Sequence, residues 1–107
     1  MNMDIVYTNK FGDKIVERSA EKFCISGTIM NASVKNVGSY TCHRLWVEDS
    51  KGGYSVTIWD DAKGYDKDLL KSGQSIKVCG VMHKQYYMGN DGTPKCFKDY
   101  RGLEILK

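Results

Sequence analysis

The sequence predicts an all-β protein, a five-stranded barrel with one short helix between strands three and four. Runs rich in β-branched and aromatic residues alternate with glycine-containing turns over most of the chain, which is typical of short paired strands. Only one segment inside the main body, residues 62–70, has the character of a helix. With 107 residues, 41% of them hydrophobic, the chain can bury one modest core, so we expect one compact domain.

The first three strands should form a meander. Strand one covers residues 23–35 and contains Gly27, and an isolated glycine inside a strand indicates a bulge or a sharp bend. A loop at 36–40 leads into strand two at 41–48. The "DSKGG" turn then joins it to strand three at 54–59, because glycines between two alternating runs are typical of a hairpin.

The second half begins with the predicted helix at 62–70, capped by Asp60 or Asp61 and ended by "KSGQ". Strand four follows at 75–87, with Gly80 at its centre, and strand five runs from residue 95 to about 106. Three strands, a helix and two more strands is the element order of the oligonucleotide/oligosaccharide-binding barrel. We therefore assign residues 23–107 to this barrel.

Residues 1–22 fall outside this pattern and form an N-terminal arm. The segment "IVYTNKFGDKIVE" could be a hairpin around Phe11, Gly12 and Asp13, whereas residues 13–22 could equally form one or two helical turns. The sequence leaves both structures open.

Two segments carry a family resemblance that covers roughly residues 23–106. "LWVEDSKGGYSVTIWDDA" resembles strands two and three of the single-stranded nucleic-acid-binding domains of replication protein A. It is also similar to the anticodon-binding-type domains of tRNA synthetases and bacterial replicative polymerases. "KSGQSIKVCGVM" resembles the segment of that family that follows the helix and leads into the next strand. The resemblance implies the fold more firmly than the ligand, since protein-binding and sugar-binding members share it.

The two tryptophans are the leading candidates for a binding surface. Side chains alternate along a strand, so Val56 and Ile58 should face the core while Trp59 faces outward. The related replication domains carry a base-stacking aromatic at the position that Trp59 matches, although Trp59 could instead pack over the barrel end against Tyr65 or Leu69. By the same alternation Arg44 and Trp46 should face outward, with Trp46 beside Trp59 or under the N-terminal arm.

Two loops should form the rims of a groove, because in this fold the loops between strands one and two and between strands four and five bound the ligand. Lys35 and Tyr40 bracket the first loop, whereas tyrosines and flanking lysines mark the second. The alternative is a hairpin with ordinary β-forming tyrosines. The predicted nucleic-acid-binding residues are Lys35, Tyr40, Arg44, Trp46, Trp59, Lys84, Tyr86, Tyr87 and Lys95.

The net charge is only +3, but it is distributed unevenly. Residues 71–101 contain six basic and two acidic residues, which indicates a basic face suited to a polyanion. The same lysines could simply keep exposed strands soluble.

Cys24, Cys42, Cys79 and Cys96 are not spaced as the close pairs of a structural zinc site. We therefore expect four reduced cysteines packed as small apolar residues, with no metal and no cofactor. His43 is expected to be a packed histidine.

No catalytic pattern accompanies the Asp60-Asp61 pair, so we expect that the chain is not an enzyme. No apolar run has the length of a membrane span and no signal segment opens the chain, which predicts a cytoplasmic protein without a membrane partner. The sequence favours nonspecific binding of single-stranded DNA, or less readily RNA, in replication, recombination or repair. The alternative is an accessory subunit that docks on a polymerase, primase or helicase and binds nucleic acid weakly or only in the complex.

Overall fold

The computed structural model describes residues 3–106, apart from the side chains of Met3 and Ser19. These residues form six strands and a short 3₁₀ turn at Lys67–Leu69. The strands are β1 (Met3–Thr8), β2 (Lys14–Val37), β3 (Tyr40–Asp49), β4 (Gly52–Lys63), β5 (Ser75–Met88) and β6 (Pro94–Leu106). The five predicted strands correspond to β2 through β6. No helix among the described residues is long and apolar enough to cross a membrane.

Strands β2 to β6 close into a ring. β2 pairs with β3, β3 with β4, β4 runs parallel to β6, β6 pairs with β5, and β5 returns to β2. Thr28 lies where β2 exchanges partners, since it is in register with Glu48 of β3 and with Ser75 of β5. Next to it, a Cβ on Gly27 would lie 2.5 Å from the carbonyl oxygen of Glu48, so the close strand approach there requires glycine.

The core lies inside the ring and follows the predicted alternation. Leu45 and Val47 of β3 and Val56 and Ile58 of β4 are at most 2% exposed. They pack with further apolar side chains of β2, β5 and β6. The residues between them along β3 and β4 therefore face away from the core, which places the candidate site on the outside of the ring.

The predicted helix at 62–70 is wrong. β4 continues through Asp60 and Asp61, the predicted caps, as far as Lys63. Gly64 then has a φ of +78°, a conformation that a right-handed helix cannot include, and the remaining segment is too short to repay helix nucleation. A 3₁₀ turn forms instead, with the carboxylate of Asp66 accepting a hydrogen bond from the Asp68 amide at 3.0 Å.

The N-terminal arm is a hairpin, as one of the two sequence interpretations predicted. β1 pairs with the first part of β2, and the side chain of Asn9 accepts hydrogen bonds from the amides of Phe11 and Asp13 at 2.9 Å each. β2 runs without a break across the expected boundary at residue 22. We call β1 and residues 14–20 of β2 the N-terminal hairpin.

The N-terminal hairpin packs against the outside of β5 and β6. Ile5 and Ala20 form a small second core with Val81 and Leu103. The hydroxyl of Tyr7 donates a hydrogen bond to the carbonyl of Gly80 at 3.0 Å. The hairpin therefore covers part of the outer surface of β5 and β6.

The expectation of four reduced cysteines is wrong for two of them. Cys24 of β2 and Cys79 of β5 are in register and form a disulfide bond. They are 55 residues apart in sequence, and the antiparallel pairing that closes the ring brings them together. Cys42 is free and buried, whereas Cys96 is free and exposed.

Candidate nucleic-acid interface

The outer face of β2, β3, β4 and β6 carries a row of polar side chains. Arg44 of β3 lies opposite Ser33 of β2 on one side and opposite Thr57 of β4 on the other. The parallel pairing of β4 with β6 then places Arg101 beside Thr57. Two guanidinium groups therefore flank Thr57 on a surface that faces away from the core.

Trp59 lies on this face one step further along β4, not at the strand end that the sequence suggested. It is partly exposed and lines two adjoining hollows of about 510 and 230 Å³. The larger hollow also contains Lys35, Arg44 and Arg101, and the smaller contains Tyr40. We call the surface formed by Lys35, Tyr40, Arg44, Thr57, Trp59 and Arg101 the outer-face groove.

The alternative position of Trp59 over the end of the ring is not adopted. Tyr65, the proposed packing partner, contacts the inner cluster and His43 instead. The outer-face groove thus brings together four of the predicted site residues, namely Lys35, Tyr40, Arg44 and Trp59.

Trp46 is not a neighbour of Trp59. It lies in register with Ser55, four residues from Trp59 along β4, which corresponds to roughly 13 Å at the rise of a strand. Its indole lies across Gly53, where any Cβ would collide with the ring. Trp46 is 44% exposed and, with Arg44, lines a separate hollow of about 280 Å³. It is not packed under the N-terminal hairpin.

The other predicted residues lie on the far part of the β5–β6 hairpin. Tyr86 is opposite Cys96 and Tyr87 is opposite Lys95, so the two tyrosines face opposite sides. The ring of Tyr87 lies 6.0 Å from that of Phe97, on the side that continues through Asp99 to Arg101. Lys84 lies on the Tyr86 side, with its Nζ 4.0 Å from a carboxylate oxygen of Glu21.

Carboxylates interrupt the basic character of the groove. Asp99 lines the larger hollow and Asp61 the smaller one. Glu17 of the N-terminal hairpin reaches in from the side, with Oε1 3.4 Å from Nη1 of Arg101 and Oε2 3.4 Å from Nε2 of His83. The charges of the groove are therefore closely balanced.

His43 and Cys42 are buried residues of β3 next to the outer-face groove. His43 is 3% exposed, and its Nε2 lies 2.6 Å from the hydroxyl of Tyr65, so the prediction of a packed histidine is confirmed. Burial lowers the pKa of His43, against a smaller raising effect of Asp60. Burial also raises the pKa of Cys42, which lies opposite Trp59, although nearby Arg44 and Lys35 partly oppose this.

Three residues of this region escaped the sequence reasoning, namely Arg101, Glu17 and Phe97. From the sequence Arg101 is only one member of the basic segment, because its place beside Thr57 depends on a parallel pairing between strands far apart in sequence. Within residues 3–106 no three histidine, cysteine, aspartate or glutamate side chains are placed to hold a metal ion.

Comparison with solved structures finds a protein that is similar to this chain. The chain is similar to a small single-stranded DNA-binding protein from Streptomyces coelicolor, with 16% sequence identity and a TM-score of 0.49. The match covers 81% of this chain and 93% of that protein. No protein-family model matches the chain, and no curated protein matches it.

Proposed function

We propose that this protein binds single-stranded DNA along the outer-face groove, by stacking bases on Trp59 and contacting phosphates through Lys35 and Arg44. The observation that carries the proposal is the position of Trp59. A large ring that folding could have buried instead lies partly exposed on the outer face, between cationic side chains and beside open hollows. A flat ring accepts any base through its π face, so binding should be nonspecific.

The surrounding architecture supports the same proposal. Five strands closed in a ring, in this chain order, fit a barrel of the oligonucleotide/oligosaccharide-binding type, formed by residues 23–107 with residues 1–22 as an arm. Tyr87 and Phe97 lie further along the face that carries Arg101, and Lys95 lies opposite Tyr87. These side chains would extend the path of a bound strand beyond the groove. Roles in replication, recombination or repair are part of this proposal.

A second candidate function is docking on a replication protein such as a polymerase, primase or helicase. The specific observation is the other side of the β5–β6 hairpin, where Tyr86 and Met88 are 73% and 66% exposed and face away from the outer-face groove. In that case nucleic acid would bind weakly or only in the complex.

The cytoplasmic location stays a prediction, and the Cys24–Cys79 bond weighs against it, because structural disulfides are rare in that compartment.

Fluorescence anisotropy tests the proposal directly. The purified protein is titrated into labelled single-stranded DNA, single-stranded RNA and duplex DNA of matched sequence. We expect the single strands to bind in preference to the duplex, with little dependence on base sequence. Equal binding of duplex and single strands, or no binding at all, would count against the groove and favour the docking function.

A further inference from the structure

Glu17 of the N-terminal hairpin occupies an unexpected position for a protein that contacts phosphates. Its carboxylate lies between two basic side chains of the outer surface, one oxygen near Arg101 and the other near His83, each at 3.4 Å. Only 17% of the Glu17 side chain is exposed, and its backbone is paired with Ile5 of β1 within the hairpin. A carboxylate placed between a guanidinium and an imidazole occupies the kind of site that a phosphate would take.

Arg101 is the cation of the outer-face groove that this contact makes unavailable to a ligand. It lines both hollows beside Trp59 and lies next to Thr57, in the same row as Arg44. Its side chain is 37% exposed, and its Nε is buried without a hydrogen-bond partner. The guanidinium is therefore positioned for a ligand in the groove, but one edge of it already faces an anion of the same chain.

We infer that Glu17 withholds Arg101 from phosphate and thereby limits the affinity of the outer-face groove for single-stranded DNA. This inference rests on the proposed function and assigns to the N-terminal hairpin a role in setting the strength of binding. The hairpin is fixed to β5 and β6 through Ile5 and Ala20, so Glu17 stays in place without needing a partner molecule. The groove of the free protein thus has two available cations, Lys35 and Arg44, rather than three.

The test is Glu17→Gln, which keeps the size of the side chain and removes its charge. Arg101 should then be free for one further phosphate. Each phosphate contributes about 0.7 to the slope of log affinity against log salt for single strands. We therefore expect the slope to become steeper by about 0.7 and the affinity to rise about fivefold at 0.1 M salt.

Glu21→Gln is the matched control. Glu21 lies on the same strand and carries the same charge, but its neighbour is Lys84, outside the outer-face groove. We expect Glu21→Gln to leave both affinity and slope close to those of the unmodified protein. An equal gain in the two variants would show a general effect of net charge and would overturn the inference.

A double-mutant cycle identifies Arg101 as the group released. In an Arg101→Gln background, Glu17→Gln should give no gain, because the cation that it frees is absent. A full gain in that background would refute the role of Arg101.

If Glu17→Gln lowers the melting temperature substantially, Glu17→Asp is the second variant. It keeps the charge but draws the carboxylate back by one methylene, so a smaller gain in affinity is expected.

Failure of this inference can be distinguished from failure of the proposed function by including Trp59→Ala in the same titrations. If Trp59→Ala weakens binding while Glu17→Gln changes nothing, the groove binds DNA and Glu17 does not limit it. If the unmodified protein does not bind single strands, or if Trp59→Ala binds them equally well, the proposed function fails and this inference fails with it.

Discussion

Replacing Trp59 by alanine separates a binding role from a structural one. The change removes the ring that lines both hollows of the outer-face groove. The loss of one stacked base is worth about 1–3 kcal/mol, which corresponds to roughly a 5- to 150-fold weaker affinity for single-stranded DNA. The backbone of β4 is unaffected, because Trp59 faces away from Val56 and Ile58 in the core.

The effect on stability should be smaller than the effect on binding. A fully buried tryptophan replaced by alanine costs about 3–5 kcal/mol of unfolding free energy. Trp59 is only partly buried and packs on the outside of the ring. We therefore expect a cost of about 1–2 kcal/mol, well below the full range, with the fold retained.

Two measurements on the same samples check these values. Anisotropy titrations with labelled single-stranded DNA give the affinity, and thermal or denaturant unfolding gives the stability. Trp59→Phe should recover a good part of the affinity, because a smaller aromatic ring keeps part of the stacking surface. A Trp59→Ala protein that loses about 3–5 kcal/mol of stability but binds DNA normally would refute the stacking role.

Four further outcomes follow from the structure. Replacing Cys24 and Cys79 by serine should lower the unfolding free energy by roughly 4 kcal/mol for a separation of 55 residues, measured by denaturant titration, and reductant should then have no additional effect. Gly80→Ala should cost about 1–3 kcal/mol or more, because its Cβ would collide with the carbonyl of Arg101, and a thermal melt measures this. Burial lowers the pKa of His43, so the unfolded chain takes up the proton first. Stability should therefore fall as the pH drops below about 6.5, and His43→Gln should remove this part of the pH dependence. The slope of log affinity against log salt for the unmodified protein should be about −1.4, because the groove has two available cations. A slope steeper than about −3 would show that the lysines of the β5–β6 hairpin also bind phosphate.

The strands could be predicted from the sequence because side-chain alternation is a local property. β5 and β6 begin and end within one residue or so of their predicted bounds, and the inward and outward faces of β3 and β4 are as expected. The predicted helix after Trp59 is wrong because Asp60 and Asp61, which have the character of a helix cap, belong to β4. In the structure Asp60 instead accepts a hydrogen bond from the Thr41 amide at 3.1 Å, which holds β4 against β3.

Contacts between distant strands could not be predicted in this way. The spacing of the cysteines argued against close metal-ligand pairs, but it could not show that β2 and β5 close the ring with Cys24 opposite Cys79. The expected contact between Trp46 and Trp59 also failed. Both rings do face outward, but the register of the β3–β4 hairpin places Trp46 opposite Ser55. The face of the strand on which a side chain lies is set by local alternation. Which side chains lie beside it depends on the register and pairing of the strands.

The positions of charged residues can be read from the sequence, but their neighbours in the structure cannot. These neighbours affect how the outer-face groove would bind DNA. The basic excess of residues 71–101 suggested a single basic face, yet several of its cations have acidic neighbours: Lys71 faces Asp68, Lys84 faces Glu21, and Arg101 faces Glu17. Within the outer-face groove Asp61 and Asp99 offset the cations further. A groove so balanced would gain less from phosphate neutralisation than a uniformly basic one, so stacking on Trp59 would supply a large part of the affinity that we propose for it. Stacking does not distinguish one base from another, and it depends on salt far less than phosphate contacts do. A groove of this kind would retain a single strand at salt concentrations that release a purely electrostatic binder.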